Sequence, residues 1–285
     1  MSRNRRIWKY QARRMIRIMI NGLPGNMAKE FTAAAKKRGL KIIPYSLTGP
    51  DIEEKEIEGI KLILPKDRED VIEKIKNEFA PFVSVDYTHP SSVNSNAQFY
   101  ITHDLPFVMG TTGGDRKKLT KDVDNAKLSC VIAPNMAKQI VALQLMLEQM
   151  QNDFPDLYKK YTLSVTESHQ KTKADTSGTA KAIVDTFNKM GIAQISYNDI
   201  QKIRNEREQI NFGVPQNYLS GHAFHTYRLE SEDKTVAFEF KHNVCGRNIY
   251  AEGTVDAVLF LAKNIKPKGS GKRFSMIDIL KSGAM

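Results

Sequence analysis

Short apolar runs alternate with helix-period stretches through the first half of the chain. Met15-Ile16-Arg17-Ile18-Met19-Ile20 reads as a strand and runs into Asn21-Gly22-Leu23-Pro24-Gly25-Asn26-Met27-Ala28. Met27, Phe31, Ala34 and Ala35 then recur on one side of a helix that Gly39 stops. Lys41-Ile42-Ile43-Pro44-Tyr45 reads as a second strand and Gly59-Ile60-Lys61-Leu62-Ile63-Leu64 as a third, followed by a helix marked by Val71, Ile72, Ile75 and Phe79. Phe82 to Tyr87 and Phe107 to Met109 form two further buried strands around a helix carrying Val93, Ala97, Tyr100 and Ile101, and Leu128 to Ile132 is another strand. This alternation predicts an α/β fold whose N-terminal part is a doubly wound parallel sheet.

The pattern changes after residue 134. Ile140, Leu143, Leu147 and Met150 mark a strongly periodic helix whose stripe belongs in a core. Thr162 to Thr166 alternates as a strand, and Ala180, Ile183, Val184, Phe187 and Met190 give a helix closed by Gly191. The polar stretch Asn198 to Gln209 reads as a surface excursion, and strands return at Ala223 to Leu229 and Thr235 to Phe240. Long strands with few helices predict a smaller α+β domain with an open mixed sheet. Gly253 to Leu261 is helix-like and leads back to the first domain. The expected organisation is a basic arm over 1–14, a Rossmann-like dinucleotide-binding domain over 15–134 completed by 250–285, and a substrate-binding and oligomerisation domain over 135–249.

Two kinds of loop carry chemistry. The first strand ends in a turn where Gly22 permits the tight bend, Gly25 lets backbone approach a pyrophosphate, and Ala28 allows close packing of helix on strand. Its spacing departs from G-x-G-x-x-G because Pro24 stands at the middle glycine. A NAD-preferring site has Asp or Glu about 20 residues later, whereas this chain reads Ser46-Leu47-Thr48. Without that acid the site tolerates a 2′-phosphate, which points to NADPH and leaves NADH open. The second loop, Glu167 to Ala180, joins the strand ending at Thr166 to the next helix. His169 can exchange a proton near neutral pH, Lys173 can supply positive charge, and the backbone N–H groups of Ser177, Gly178 and Thr179 can receive a carboxylate or phosphate. Together they suit a small anionic substrate that is protonated during reaction.

Other histidines carry less. His222 and His225, three apart in a strand, should point to opposite faces, which argues against a shared metal site and for packing and an oligomer interface. His89 either touches a nicotinamide or begins a turn, and His242 and Arg247 sit at the surface or add charge to the pocket.

Composition narrows the classes. No apolar run reaches the roughly 18 to 20 residues a membrane helix needs. With two cysteines, Cys130 and Cys245, far apart in sequence, a disulfide framework or zinc site is not expected. The net charge of +11 gathers near the ends, at Arg3 to Arg17 and Lys263 to Arg273. Without a nucleic-acid-binding motif beside it, that charge does not indicate nucleic acid as a partner. The N-terminal run is too short and too poor in Ser to be read as an organelle transit segment.

These residues resemble the 4-hydroxy-tetrahydrodipicolinate reductase family, in its plant-like branch. The resemblance rests on Asn21 to Met27, Phe107 to Gly114, Ala133-Pro134-Asn135-Met136, and the loop with His169-Gln170, Lys173 and Asp175-Thr176-Ser177-Gly178-Thr179-Ala180. The plant-like Gly-His-Ala-Phe-His-Thr-Tyr run also stands here, at 221 to 227. The resemblance implies NAD(P)H-dependent reduction of 4-hydroxy-tetrahydrodipicolinate in lysine biosynthesis by the diaminopimelate route. It implies His169 as proton donor and Lys173 as second acid or charge stabiliser. Gly178 and Thr179 would hold a substrate carboxylate, with Ser177 near. Gly22, Leu23, Pro24, Gly25, Asn26 and Met27, then Gly110, Thr111 and Thr112, then Ala133, Pro134, Asn135 and Met136 would line the cofactor. Bacterial members pair His169 with a second histidine where this chain has Gln170, which can donate a hydrogen bond but brings no charge. The expected protein is a homo-oligomer, dimer or tetramer, acting on a small dicarboxylate in the cytoplasm, or in the plastid stroma of a plant or alga. The alternatives are another small NAD(P)-dependent amino acid dehydrogenase and a non-catalytic nucleotide-sensing or nucleic-acid-binding protein.

Overall fold

A computed structural model describes residues 16–283, so the basic arm expected over 1–14 lies outside the described residues. The first elements are β1 (Arg17–Asn21), α1 (Asn26–Lys37), β2 (Lys41–Ile42), β3 (Tyr45–Leu47), β4 (Glu56–Ile57), β5 (Ile60–Ile63) and α2 (Arg68–Phe79). Next come β6 (Val83–Asp86), α3 (Val93–Thr102), β7 (Phe107–Met109), α4 (Arg116–Ala126) and β8 (Cys130–Ile132). The chain continues through α5 (Lys138–Asp153), β9 (Tyr161–His169), α6 (Gly178–Lys189), β10 (Gln201–Ile203) and α7 (Glu206–Asn211). It ends with β11 (His222–Ser231), β12 (Ala237–Cys245), α8 (Asn248–Asn264), β13 (Arg273–Phe274) and α9 (Met276–Lys281). Two compact units result, one running to Lys138 and resuming at Asn248, the other Gln139–Arg247.

In the first unit six strands form a wholly parallel sheet in the order β13-β8-β7-β6-β1-β2. Parallel strands bury both faces, and β6 and β7 are buried at every position. Met19, Ile72, Tyr100, Phe107 and Val123 are among the side chains of the core on this sheet. The expected second strand breaks at Pro44, which has no N–H to continue a ladder. Its first part pairs with β1, and its second, β3, joins a separate three-stranded sheet in the order β3-β5-β4. The expected third strand, β5, is therefore in that small sheet and not in the doubly wound one. Helix α4 was not expected, because only Leu119 and Val123 of its 11 residues are buried, too little for a visible stripe.

In the second unit four strands run in the order β10-β9-β11-β12. β10 is parallel to β9, and the other two pairs are antiparallel. One face is closed by α6, whose Ala180, Ile183, Val184 and Phe187 pack with Val165, Tyr227 and Leu229. Asn198 to Gln209 is no surface excursion: it holds β10 and the first residues of α7 and buries Ile200, Ile203 and Gln209. β9 also runs further than expected, so Glu167, Ser168 and His169 end the strand and the loop begins after them.

Candidate active site

In the first unit the three predicted cofactor turns follow β1, β7 and β8, at the carboxyl ends of the parallel strands, where ligands bind in such sheets. Gly22 has φ +101° and a Cβ there would stand 2.2 Å from the Tyr87 carbonyl oxygen, so no other residue fits. Its N–H donates to Leu47 O at 2.8 Å, while Thr48 Oγ1 donates to Leu23 O. Ser46 and Thr48, at the place of the usual ribose-binding acid, are thus buried and occupied in holding the turn. Gly25 and Asn26 are exposed, and α1 begins with no side-chain cap and no acid in its first turn. Open N–H groups at a helix start suit a pyrophosphate.

Gly110 belongs to the same cradle, since a Cβ there would lie 2.4 Å from the Tyr87 ring. Thr111 is buried and serves the scaffold: its hydroxyl donates to the buried Asp86 carboxylate at 2.6 Å. Asp86 also accepts from Thr88, from Asn96 at 3.0 Å and from Tyr100 at 2.7 Å. Burial, and then Asp86, push the Tyr100 hydroxyl well above its ordinary value, so it remains a donor. Thr112 and Pro134 are exposed, whereas Leu23, Ala133 and Met136 are buried and can offer a ligand only backbone. Pro24, Met27 and Asn135 are half-buried, and Asn135 caps the Ala137 N–H at 2.9 Å. His89 begins a turn, accepting from Ser91 N–H.

In the second unit the loop after β9 is organised by Glu167, which is fully buried. One oxygen pairs with the Arg204 guanidinium, and the other accepts the Ser177 N–H at 3.0 Å. Ser177 N–H is therefore engaged, which corrects the expectation of three free amides. Gly178 and Thr179 retain theirs, because the first helical bond of α6 runs from Lys181 N to Ser177 O. Nothing stands within 4 Å of a Cβ built on exposed Gly178, so that helix start is open. Arg204 also donates to Lys173 O at 2.8 Å and reaches Asp175 O, tying the loop at three points. Gln209 donates to His169 O at 2.7 Å.

His169 is buried at the strand end. Burial first, then the Arg204 and Lys173 charges, push its pKa down to about 3, so the imidazole is neutral at pH 7. Half-buried Lys173 pairs its ammonium with Asp175 at 2.7 Å, and its backbone N–H donates to the carbonyl oxygen of half-buried Gln170 at 2.9 Å. His222 and His225 do point to opposite faces. His222 Nδ1 donates to Tyr218 O and its Nε2 accepts from Ser168, while His225 Nε2 lies 3.3 Å from His169 Nε2. His225 packs as expected, buried and stacked on Tyr227, and in addition reaches the His169 ring. His242 stacks on it at 4.6 Å.

Glu167, His169 and His225 bring ligand atoms within 4.8 Å of one another, a spacing that fits a divalent ion. The charges argue against one. Arg204 already neutralises Glu167, and Lys173 adds a second positive charge acting on both rings. The residues missed by sequence reasoning, Glu167, Arg204, Gln209 and His225 here and Asp86 in the first unit, gave no local signal: each acts through a partner 10 to 58 positions away.

Family models described as Dihydrodipicolinate reductase, N-terminus, and Dihydrodipicolinate reductase, C-terminus, match residues 16–136 and 140–280. A relative from Arabidopsis thaliana, 4-hydroxy-tetrahydrodipicolinate reductase 1, chloroplastic, is 47% identical over 275 residues, covering 95% of this chain and 79% of its own. The probable 4-hydroxy-tetrahydrodipicolinate reductase 1, chloroplastic, of Oryza sativa subsp. japonica is 45% identical, covering 94% of this chain and 79% of its own. A solved structure, dipicolinate-bound dihydrodipicolinate reductase from Paenisporosarcina sp. TG-14, has a TM-score of 0.65 at 20% identity, covering 92% of this chain and 97% of that one, a likeness of fold. With both family models matched in order and nearly half of all positions identical to the Arabidopsis relative, the chain belongs to the dihydrodipicolinate reductase family.

Proposed function

We propose that the protein reduces 4-hydroxy-tetrahydrodipicolinate to tetrahydrodipicolinate in lysine biosynthesis by the diaminopimelate route, with His169 as proton donor. Family membership carries the nicotinamide-dependent reductase activity. The observation that supports the residue roles is the end of β9 and the loop after it, where one buried carboxylate holds an open helix start and lies near a neutral imidazole on which the Lys173 ammonium acts. The nicotinamide supplies hydride to the cyclic imine. The Gly178 and Thr179 N–H groups, at the positive end of α6, hold one substrate carboxylate, with the Ser177 and Thr179 hydroxyls beside them. Gln170 donates to the other, and Lys173 offsets its charge. Two arriving carboxylates favour protonation of His169, which then gives its proton to the ring.

NADPH is the preferred donor in this reading, because no carboxylate at the end of β3 would repel a 2′-phosphate. The plastid is the inferred compartment, from the chloroplastic names of the relatives. A homo-oligomer is inferred from β12, the outer strand of its sheet, where Val236 just before it and Phe238 within it are exposed. The test is loss of reduced-nicotinamide absorbance with enzymatically made substrate, run with NADPH and NADH and against amino acids with NADP. Turnover of the imine, faster with NADPH, is expected. Oxidation of amino acids without imine turnover contradicts the reading.

A further inference from the structure

Two imidazoles meet at the end of β9. His169 Nε2 and His225 Nε2 are 3.3 Å apart, with the ring planes at 74°. At that separation one nitrogen carries the hydrogen and the other accepts it, so His169 Nε2 is engaged in the resting protein. The pairing is built by the sheet. Antiparallel register sets His225 directly opposite Glu167, and the alternation of β9 puts Glu167 and His169 on the same face.

The ring of His225 is fixed on several sides. Tyr227 stacks on it at 6.2 Å and His242 at 4.6 Å, while the Glu167 carboxylate lies 3.8 Å from its Nε2. Arg204 and Lys173 are the positive groups that act on it. Burial first, then His242, His169 and those two cations, hold His225 well below its ordinary pKa, so it is neutral in the resting protein. A neutral imidazole can accept an N–H from a charged ring.

We propose that His225 is the positioning residue of His169: it occupies His169 Nε2, leaves Nδ1 as the nitrogen that exchanges the proton, and accepts the Nε2–H of the protonated ring. When a dicarboxylate binds, His169 Nδ1 gains a proton from solvent. In the reaction the Nδ1–H bond breaks as the C–H bond forms on the substrate, and His169 returns to a neutral ring held through Nε2. This rests on the reading of His169 as proton donor.

The experiment titrates the full chain with pyridine-2,6-dicarboxylate, an unreactive dicarboxylate, by calorimetry at neutral pH in buffers of different ionisation enthalpy. pH profiles of kcat are taken in parallel. The wild type is expected to take up close to one proton. His225→Phe is expected to take up less than half as much, to lose about tenfold or more in kcat, and to lose its alkaline limb at lower pH, with cofactor affinity unchanged. His225→Gln keeps an acceptor at the same place and is expected to remain within about threefold of wild type, since the hydrogen bond and not the titration of residue 225 is what counts. If H225F melts early, His225→Leu takes its place. Wild-type uptake and an unshifted pH profile in the folded H225F or H225L protein overturn the proposal. A fully active His169→Ala protein would instead overturn the reading of His169 itself.

Discussion

At the residue scale the site depends on one buried ion pair. Glu167 is fully buried and Arg204 is its charged partner, and removing one member of such a pair leaves an uncompensated charge. Arg204→Ala is expected to lower stability by about 3–5 kcal/mol, read by urea unfolding, and to reduce turnover because Lys173 O and Asp175 O lose their donor. Arg204→Lys should recover little, since a point charge cannot serve the Glu167 carboxylate, Lys173 O and Asp175 O in a fixed fork. A stability change under about 1 kcal/mol for R204A contradicts this role. In the first unit Gly22→Ala forces a Cβ to within 2.2 Å of the Tyr87 carbonyl at φ +101°, a strain of about 1–3 kcal/mol. The expected result is weakened NADPH binding by fluorescence titration. His169, Lys173 and the Gly-rich turn were legible because each lies in a local pattern. Arg204 was not, because its partner is 37 positions earlier and only the β9–β10 pairing brings them together.

At the element scale, strands and helices with clear periodicity were legible, and errors fall where tertiary pairing decides. Pro44 splits one apolar run between two sheets, and nothing in the run itself says which half pairs where. β10 is only three residues long, two of them exposed, so its apolar signal is Ile203 alone. β9 continued past Thr166 because Glu167, a residue that would end most buried strands, finds Arg204 and Ser177 there. The core under this sheet sets the stability of the second unit. Phe187→Ala, removing a fully buried ring of α6, is expected to cost about 3–5 kcal/mol, measured as a fall in the denaturation midpoint. A cost below 1 kcal/mol would mean that α6 does not close the sheet.

At the scale of the whole molecule, the buried histidines make stability depend on pH. Burial pushes His169 down to about 3 and His242 down to about 4, and lowers His225 and His222 as well. A depressed pKa means that the unfolded chain binds protons before the folded one does. Stability is therefore full above about pH 6.5 and falls as the pH drops toward 4 and 3. The melting temperature should decline steadily from pH 7 to pH 4, and less so in His242→Phe; a flat profile is the contrary outcome. Family membership was legible at this scale from four ordered motifs, since spacing over a whole chain constrains more than any one turn. The loop after β9 is the centre of the proposed function. The most direct measurement compares wild type with His169→Ala in single-turnover reduction of 4-hydroxy-tetrahydrodipicolinate by NADPH. A loss of about 10²–10⁴-fold in rate with cofactor affinity unchanged is predicted, and near-normal turnover in the variant would contradict His169 as the proton donor.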